Sequence, residues 1–567
     1  MVDPRSWAAP RPWGLRRYLP ILTWLPAYER SWLRLDVIAG ATIWGLLVPE
    51  SMAYAGLAGL PPQAGLYTLL ATLAAYAVFG TSRHVVAGAT SASAVLLASG
   101  IAGLGSSSTA EYAARGAAMV LFCAGLFLLA GFLRLGFIAQ FLSRPVLEGF
   151  VFGLALFVTV SQLPKLFGIP KGEGDTIRQF LHVLTHLGDT NAATLAVGAG
   201  TLVLLFGLDR FASRVPGGLV ALVLGIVLST ALDLSAHGVE IVGTVPSGLP
   251  SVGVPSIAAG DVVPLLAAAG GMALVIFSES LGAAQNFARK YGYDIDPDQE
   301  LIALGVANAG SGLIGGLAGG GSLSQSAVND GAGARSEVSP LVAAVLILVT
   351  VLVLTPLFKN LPEAVLAALI IHAVSRLWKI AEFRRYYGEQ PVEFALGLAT
   401  LVGVITLDVL PGLVIGVVSM LLLVIYRATR PHLSVLGRVP GVTGGFGDVE
   451  RHPDYTTIPG LLVLRLEAPL WYANATLVRD RVKLLVGRSD PLPHAVVVMG
   501  GVSDSLDVTS AEMLDELITT LRSAGIDFAL ADVRLPVVEM ARRCGLLDVL
   551  GEDHVFHTVE EAVEALS

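Results

Sequence analysis

Long apolar runs separated by short polar connections dominate residues 1–436. A helix needs about 20 apolar residues to cross roughly 30 Å of hydrocarbon, so runs near this length predict membrane spans. Twelve are predicted, at 36–59, 65–80, 112–133, 137–162, 191–208, 217–232, 264–290, 299–316, 339–358, 362–378, 391–407 and 411–428. Between two of them, residues 175–189 have apolar positions at helical spacing and predict a helix at the membrane surface.

Two further segments, 84–100 and 316–333, are rich in small residues and predict broken half-spans, which brings the expected number of spans to fourteen. Residues 88–95 read GATSASAV and residues 321–328 read GSLSQSAV, and they align at an offset of 233. Two halves of seven spans each, an odd number, must lie in opposite orientations. This inverted repeat is typical of secondary transporters, whose site lies at the repeat interface near the membrane midplane.

Composition supports a membrane domain followed by a soluble one. Of all residues 54% are hydrophobic and 14% charged, with mean hydropathy +0.71, whereas soluble domains carry about 25% charged residues. Residues 437–567 hold 11 Lys and Arg against 20 Asp and Glu, and so contain the whole net charge of -9. Three parts are predicted: a cytoplasmic or interfacial segment 1–34, a transmembrane domain 35–432 and a cytoplasmic domain 433–567.

Charge placement also predicts the orientation of the chain in the membrane. Arginines precede the first span, and Arg427 and Arg430 follow the last, which favours both termini in the cytoplasm and an even number of spans. Two cysteines and scattered histidines without metal spacing indicate no metal and no cofactor. The glycine-rich GLAGGGSLS lacks the GK[ST] ending of a phosphate loop. Neither enzymatic activity nor nucleic-acid binding is expected.

The broken spans provide the chemistry for an anion site. A helix that begins inside the bilayer presents unpaired N–H groups and the positive end of its dipole to whatever lies before it. Gly88 and Gly321 allow close backbone approach, and nearby hydroxyls can donate to an oxyanion. The alternative is that the serines only cap helices or permit tight packing. The candidate substrate-binding residues are Ser91, Ala92, Ser93, Ser322, Ser324, Gln325 and Ser326.

Two acidic residues, Glu50 and Glu279, lie inside predicted spans and are 229 positions apart. An ionised carboxylate in hydrocarbon is unfavourable by several kcal/mol, so each needs a partner, a proton or a wet cavity. One hypothesis is that Glu50 binds a coupling proton, while Glu279 coordinates the coupling cation or anchors the broken-helix backbone. The alternative is that both are structural acceptors for backbone N–H groups. Amides that line the cavity or link helices are Gln285, Asn286, Asn308 and Gln325.

After Ser434, short β-rich runs alternate with amphipathic helices, which predicts a small α/β domain. Its helix within 509–525 is expected to start at a cap formed around Asp507, Thr509 and Ser510, with Thr509 or Ser510 preceding Glu512. The predicted strands and helices are 461–468, 474–486, 494–500, 509–525, 527–533 and 535–547.

These segments resemble a bacterial member of the SulP sulfate-permease family with a C-terminal STAS domain. The resemblance rests on DVIAGATIWGLLVPESMAYAGLAGLPPQAGLY, GTSRHVVAGATSASAVL, FSESLGAAQNFARKYGYDIDPDQELIALGVANAGSGLIGG, GGGSLSQSAVNDGAGARS and PGLLVLRLEAPLWYANA, and covers about residues 30–567. It implies an all-α membrane domain of about fourteen spans in a seven-plus-seven inverted repeat with two half-helices, followed by a small α/β STAS-like domain. It further implies a substrate between the half-helix N-termini, a core that moves against a gate, and frequent homodimers.

Single positions refine what the resemblance implies. An acid at Glu50, where many relatives have Gln, resembles members that take up anions with protons. Gln325 stands where animal relatives often have Arg, so a fixed positive charge is missing there and tight binding of divalent sulfate is less expected. Val508 occupies the place of a phosphorylatable serine of signalling STAS domains, which argues against a phosphorylation switch.

The sequence therefore predicts a multi-pass secondary active transporter of small anions in a bacterial inner membrane. By resemblance the default substrate is sulfate, with bicarbonate or C4-dicarboxylates as alternatives, and proton symport by an elevator-like movement is expected. Sodium-coupled transport, uncoupled exchange and a membrane-tethered STAS regulator without transport are the alternatives. Expected partners are the anion, a proton or sodium ion, the lipid bilayer, a second copy of the chain and a cytosolic partner of the STAS domain.

Overall fold

The computed structural model describes residues 15–105, 108–141, 143–172, 174–212, 215–378, 380–442 and 444–567. The chain forms two compact units, divided after Met420. Each unit has its own buried apolar core. The first 14 residues of the predicted interfacial segment lie outside the described residues, and the limits predicted at 35 and 433 stay predictions.

The first unit, together with the apolar helix that spans the division, consists mainly of helices and contains two short paired strands. Its helices are α1 (Leu15–Tyr18), α2 (Ile21–Trp24), α3 (Leu33–Leu57), α4 (Pro62–Phe79), α5 (Ser91–Ala102), α6 (Thr109–Phe132), α7 (Arg144–Phe167), α8 (Thr176–Thr185), α9 (Ala192–Phe211), α10 (Gly217–Ala231), α11 (Val262–Tyr291), α12 (Pro297–Leu313), α13 (Leu323–Gly331), α14 (Val338–Val349), α15 (Glu363–Ser375), α16 (Ile380–Glu389), α17 (Pro391–Leu407) and α18 (Val409–Thr429). The strands are β1 (Val86–Ala89) and β2 (Gly319–Ser322).

Every predicted span corresponds to a helix of this unit. Among the described residues, nine helical stretches are long and apolar enough to cross a membrane, and α5, α10 and α17 are shorter apolar helices. The two remaining predicted segments are α12 and α13. Helix α8 occupies the predicted surface segment, with the apolar side chains of Ile177, Phe180, Leu181 and Leu184 exposed. Helix α16 was not predicted.

The two broken segments have the same local structure: a short strand followed by a half-helix. Strands β1 and β2 pair antiparallel, with Val86 opposite Ser322 and Ala89 opposite Gly319. Glycine is required in β2 by close approach, because a Cβ on Gly320 would lie 2.5 Å from Cγ2 of Ile276. Helices α5 and α13 have 12 and 9 residues and are too short to cross a bilayer. The prediction that 84–100 and 316–333 are interrupted and adjacent is therefore confirmed.

The helices pack in two groups around this pair of strands. Helices α3, α4, α11 and α12 contact the strands, with α6 and α14 packed against them. A second group contains α7, α9, α15 and α17. Helix α3 also contacts α10 and α15, so the groups meet along α3. Because α3 carries Glu50, this carboxyl group lies on the helix that the two groups share.

The second unit is a six-stranded sheet with helices around it. Its elements are β3 (Leu433–Arg438), β4 (Phe446–Asp448), β5 (Leu461–Leu466), α19 (Tyr472–Arg488), β6 (Ala495–Met499), α20 (Val508–Ser523), β7 (Asp527–Ala531), α21 (Leu535–Arg543), α22 (Leu546–Leu550), β8 (Val555–Phe556) and α23 (Val559–Leu566). The strand order is β4-β3-β5-β6-β7-β8, and β5 to β8 run parallel. This is the α/β architecture that alternating strands and helices predict.

Of two local predictions in this unit, one is confirmed in part and the other is wrong. Helix α20 is capped by Asp507, whose Oδ1 accepts a hydrogen bond from the Ser510 N–H at 2.8 Å. Thr509 and Ser510 already lie inside the helix and do not cap it, because Asp507 captures a first-turn N–H first. The single helix predicted for 535–547 is two helices, since Gly545 adopts a left-handed conformation with φ of 76°.

Candidate functional site

The strand pair needs hydrogen-bond partners on both outer edges, because unpaired backbone groups inside a membrane protein are strongly unfavourable. On the outer edge of β1, the Thr72 hydroxyl donates to the Ala87 carbonyl at 2.8 Å. The amide Nε2 of Gln325 donates to the Ala89 carbonyl at 3.2 Å. The buried side chains of Thr72 and Gln325 therefore take the place of a neighbouring strand.

On the outer edge of β2, Asn308 and Ser280 play the same part. Asn308 accepts from the Gly319 N–H at 2.9 Å and donates to the Gly319 carbonyl at 2.8 Å. Ser280 accepts from the Gly321 N–H at 2.7 Å and donates to the Ile276 carbonyl at 2.6 Å. Of the two interpretations of Asn308, the link between elements is the one observed. Sequence reasoning missed Ser280, and no local signal marks it.

The first half-helix, α5, begins with a capping box. The Thr90 hydroxyl accepts from the Ser93 N–H at 3.1 Å, and the Ser93 hydroxyl accepts from the Thr90 N–H at 3.1 Å. Ser93 is fully buried, so its hydroxyl caps the helix, as the alternative interpretation of the serines predicts. The N–H groups of Ser91 and Ala92 lie in the first turn, where helix geometry supplies no acceptor.

The second half-helix, α13, begins in a more open environment. The Ser322 hydroxyl accepts from the Gln325 N–H at 3.4 Å and lies 3.1 Å from the hydroxyl of Ser324, which is exposed. The Ser326 hydroxyl is buried and bonded to backbone, accepting from the Val86 N–H at 2.8 Å and donating to the Ser322 carbonyl at 2.6 Å. Ser326 thus joins α13 to β1, while Ser322 and Ser324 have hydroxyls at the accessible end.

The two residues that cap the half-helices are 232 positions apart, whereas the repeat alignment of the sequence has an offset of 233. Thr90 caps α5 and Ser322 caps α13. By helix position, the third residue of each half-helix is therefore Ser93 in α5 and Gln325 in α13, whereas the sequence alignment pairs Ser93 with Ser326. The second helix starts one residue earlier in the repeat, and this shift gives Gln325 its buried position at the helix start.

Glu50 lies at the junction of the two half-helix segments. Its carboxylate Oε2 accepts a hydrogen bond from Nε2 of Gln325 at 3.2 Å, and the same nitrogen donates to Ala89 at the end of β1. Glu50 is half-buried. The acid of the first span, the start of α13 and the end of β1 therefore meet at one point.

Glu279 is also half-buried, on α11, but its carboxylate makes no hydrogen bond with any residue that the structure describes. Its neighbour Ser280, rather than Glu279, bonds the Gly321 N–H of the broken segment. The amides of Gln285 and Asn286 on the same helix are exposed. No observation assigns Glu279 a ligand, and its coupling role stays a prediction.

Electrostatics connect Glu50 to two residues that sequence reasoning did not select, Tyr54 and Arg376. The charges of Glu50, Glu279 and Arg376 all act on the buried Tyr54 hydroxyl, one turn after Glu50 on α3. The charge of Arg376 also acts on Glu50 itself. Arg376 thus acts on Glu50 only through its charge, and its guanidinium pairs with Asp209.

Arg376 is held in place at the end of α15 by Asp209 on α9. Its Nη2 donates to Asp209 Oδ2 at 2.6 Å, and Nε2 of His372 lies 2.9 Å from the same oxygen. His372 is thus an ion-pair neighbour as well as a packing residue. The spacing of His372 and Arg376, four residues apart on one helix, is the signal that could have found this cluster.

Comparison with known proteins decides the family. A model described as the sulfate permease family matches residues 33–400, and a model of the STAS domain matches residues 452–562. The chain belongs to the sulfate permease family. This is a family of transporters, so the chain is a multi-pass anion transporter with a C-terminal STAS domain.

Two relatives in this family extend over nearly the whole chain. A Mycobacterium tuberculosis protein named probable sulfate transporter is 37% identical, over 95% of this chain and 96% of its own length. High affinity sulfate transporter 1 of Stylosanthes hamata is 31% identical, over 97% of this chain and 86% of its own length.

Solved structures confirm the predicted fold class. The murine solute carrier 26 family member A9 anion transporter in its inward-facing state matches with a TM-score of 0.91 at 23% identity, over 99% of this chain and 97% of that one. The transmembrane domain of the cyanobacterial bicarbonate transporter BicA matches with a TM-score of 0.61 at 23% identity, over 69% of this chain and 98% of that one. At this identity the matches show the shared fold.

Proposed function

We propose that this sulfate permease family member takes up a small anion together with a proton. The anion lies between the N-terminal ends of α5 and α13, and Glu50 carries the proton. The printed names of its relatives make sulfate the first substrate to test, and the bicarbonate transporter that shares the fold makes bicarbonate the second. C4-dicarboxylates are the third, as anions of similar charge.

Main-chain groups supply most of the attraction for the anion in this proposal. Two helix N-termini direct their positive dipole ends towards the space beside the strand pair. The N–H groups of Ser91 and Ala92 and the hydroxyls of Ser322 and Ser324 are donors that an oxyanion can use. Ser93 and Ser326 position these ends through their backbone bonds.

The contact between Glu50 and Gln325 is the observation that carries the proton part. Nε2 of Gln325 donates to the Glu50 carboxylate, while Oε1 of Gln325 is buried without a donor among the described residues. A protonated Glu50 would supply that donor once the Gln325 amide turns over. A primary amide has both a donor and an acceptor, so Gln325 can bind Glu50 in either protonation state. Gln325 also lies in the first turn of α13, where the anion binds in this proposal. A proton on Glu50 therefore acts on the anion site through Gln325.

The packing supports an elevator-like movement. The strand pair, both half-helices and α3, α4, α11 and α12 form one packed group, which in the proposal moves as the core. Helices α7, α9, α15 and α17 form the gate, and α15 ends at Arg376 near Glu50. Cytoplasmic termini, a bacterial inner membrane and a homodimer belong to the same proposal.

Uptake into proteoliposomes tests the function. Purified full-length protein is supplied with radiolabelled sulfate, bicarbonate or fumarate, with and without an inward proton gradient. We expect one of these anions to accumulate against its gradient only when the proton gradient is present. Replacing sodium by choline should leave anion accumulation unchanged, and a requirement for sodium would contradict proton coupling. No uptake of any anion, together with a soluble partner bound to the STAS domain, would favour the regulator.

The role of Glu50 is tested by Glu50→Gln. The amide keeps a hydrogen bond to Gln325 but cannot carry a proton, so the fold and anion exchange should remain while proton-driven accumulation is lost. Glu363→Gln is the matched control, because Glu363 already pairs with Lys165 at 2.8 Å on the gate. Full proton-driven accumulation by Glu50→Gln would refute the assignment.

The anion site is tested by Ser324→Leu, which places a large apolar side chain at the open start of α13. We expect anion affinity to fall strongly while expression and elution stay normal. Ala327→Leu is the control, because Ala327 is exposed on the same helix beyond its first turn. Equal affinities of the two variants would contradict the site.

A further inference from the structure

A second buried acidic group, Glu337, has no function in the transport proposal. It is the N-cap of α14, one residue before a candidate membrane span, and is 2% exposed. Neither of its carboxylate oxygens has a hydrogen-bond partner among the described residues. A buried carboxylate without donors is strongly unfavourable, so the structure requires something to neutralise it.

The groups that face Glu337 do not neutralise it. They are Asp36 on α3, Tyr76 on α4, Tyr293 just before α12, and Glu300 on α12. Two of them are acids and two are phenols, and none of these four is a cation. Burial, followed by the negative charges of Glu300 and Asp36, raises the pKa of Glu337 well above its usual value.

Asp36 has its own set of donors. Its Oδ1 accepts from the N–H groups of Arg335 and Ser336 at 2.7 and 3.3 Å, and its Oδ2 accepts from the Ser336 hydroxyl at 2.8 Å. Three donors stabilise the ionised form of a carboxyl group. Asp36 therefore has hydrogen-bond donors on both oxygens and fixes the chain immediately before Glu337.

Glu300 is satisfied in the same way. It accepts from the Tyr76 hydroxyl at 2.6 Å and from the N–H and hydroxyl of Thr81 at 2.7 and 2.5 Å. Two acids of this cluster therefore have hydrogen-bond donors on their carboxyl groups, whereas Glu337 has none among the described residues. Glu337 is therefore the acid of this cluster whose burial without donors calls for a proton.

We propose that Glu337 is a proton-binding site, separate from Glu50, at the start of α14. A proton is favoured over a metal ion because no set of three or more metal-binding side chains was found among the described residues. Loss of this proton would place a third negative charge beside Asp36 and Glu300 and push the start of α14 away from α3 and α4, against which it packs. The inference does not depend on the transport mechanism.

Infrared spectroscopy of the purified full-length protein tests the protonation state directly. The spectrum of the unmodified protein minus that of Glu337→Gln, recorded at about pH 7, should contain the carbonyl band of a protonated carboxylic acid. Glu363→Gln is the matched control, because its carboxylate pairs with Lys165 and should give ionised carboxylate bands instead. Ionised carboxylate bands in the Glu337 difference spectrum would overturn the proposal.

Thermal unfolding gives a second readout. A native state that binds a proton more tightly than the unfolded chain becomes less stable as pH rises from the unfolded pKa towards the native one. The unfolding midpoint of the unmodified protein should therefore fall as pH rises above about 5, and Glu337→Gln should lose part of this dependence. Identical pH profiles would contradict the site. If sodium raises the unfolding midpoint of the unmodified protein but not that of Glu337→Gln, the site binds a metal cation and the proposal of a bound proton is wrong.

Discussion

Removing the Asn308 side chain should loosen the strand pair that positions both half-helices. Asn308 is fully buried and bonds both backbone groups of Gly319, accepting from its N–H at 2.9 Å and donating to its carbonyl at 2.8 Å. In Asn308→Ala both groups lose their partner. Each buried unsatisfied group costs about 1–3 kcal/mol, so the free energy of unfolding should fall by roughly 2–6 kcal/mol.

Denaturation of the purified protein and uptake kinetics measure this effect together. Because β2 leads directly into α13, the loss should also raise KM for the anion. Asn286→Ala is the control, since this exposed amide lies on α11 and its loss should change stability by less than about 0.5 kcal/mol. If Asn308→Ala and Asn286→Ala have equal unfolding free energies and equal KM values, the reasoning about the strand edge is refuted.

Three other changes test separate parts of the structure. Ser280→Ala leaves the buried Gly321 N–H unpaired and should lower the free energy of unfolding by about 1–3 kcal/mol, as measured by denaturation; no loss would contradict the contact. Arg376→Gln removes a positive charge that acts on Glu50, so KM for the anion should rise roughly 3–10-fold and should depend less on salt concentration; an unchanged KM would show that this charge does not act on the anion site. In the STAS domain, partial burial lowers the pKa of His554, but hydrogen bonds to two aspartates outweigh it and raise the pKa above its usual value. This stabilisation is present below the unfolded pKa and lost as pH rises through the native one, so His554→Gln should lower the unfolding midpoint more at about pH 5.5 than at about pH 8.5, unlike the control His557→Gln.

Membrane spans could be predicted because hydrocarbon thickness sets a length that a sequence must match. The half-spans could be predicted too, since runs of Gly and Ser cannot form a continuous apolar crossing. Glu50 and the start of α13 were found because an acid in hydrocarbon and a broken helix are both unfavourable without a function. These features depend on local composition alone.

Other features depend on which distant residues meet. Ser280 and Asn308 complete the edge of β2, yet each is an ordinary polar residue inside an apolar helix, and only the fold shows its partner. The position of Gln325 depends on where α13 begins, which differs by one residue from the repeat alignment. The Asp507 cap shows the same limit at short range, because several adjacent residues can cap a helix and geometry selects one.

The position of the bound anion shows whether the two half-helices form the binding site. The substrate identified by uptake, or a heavy-atom analogue such as selenate for sulfate, would be located by anomalous diffraction. We expect a peak between the first-turn N–H groups of Ser91 and Ala92 and the Ser324 hydroxyl, beside Glu50. A peak at Arg376 with nothing between the two half-helices would contradict it.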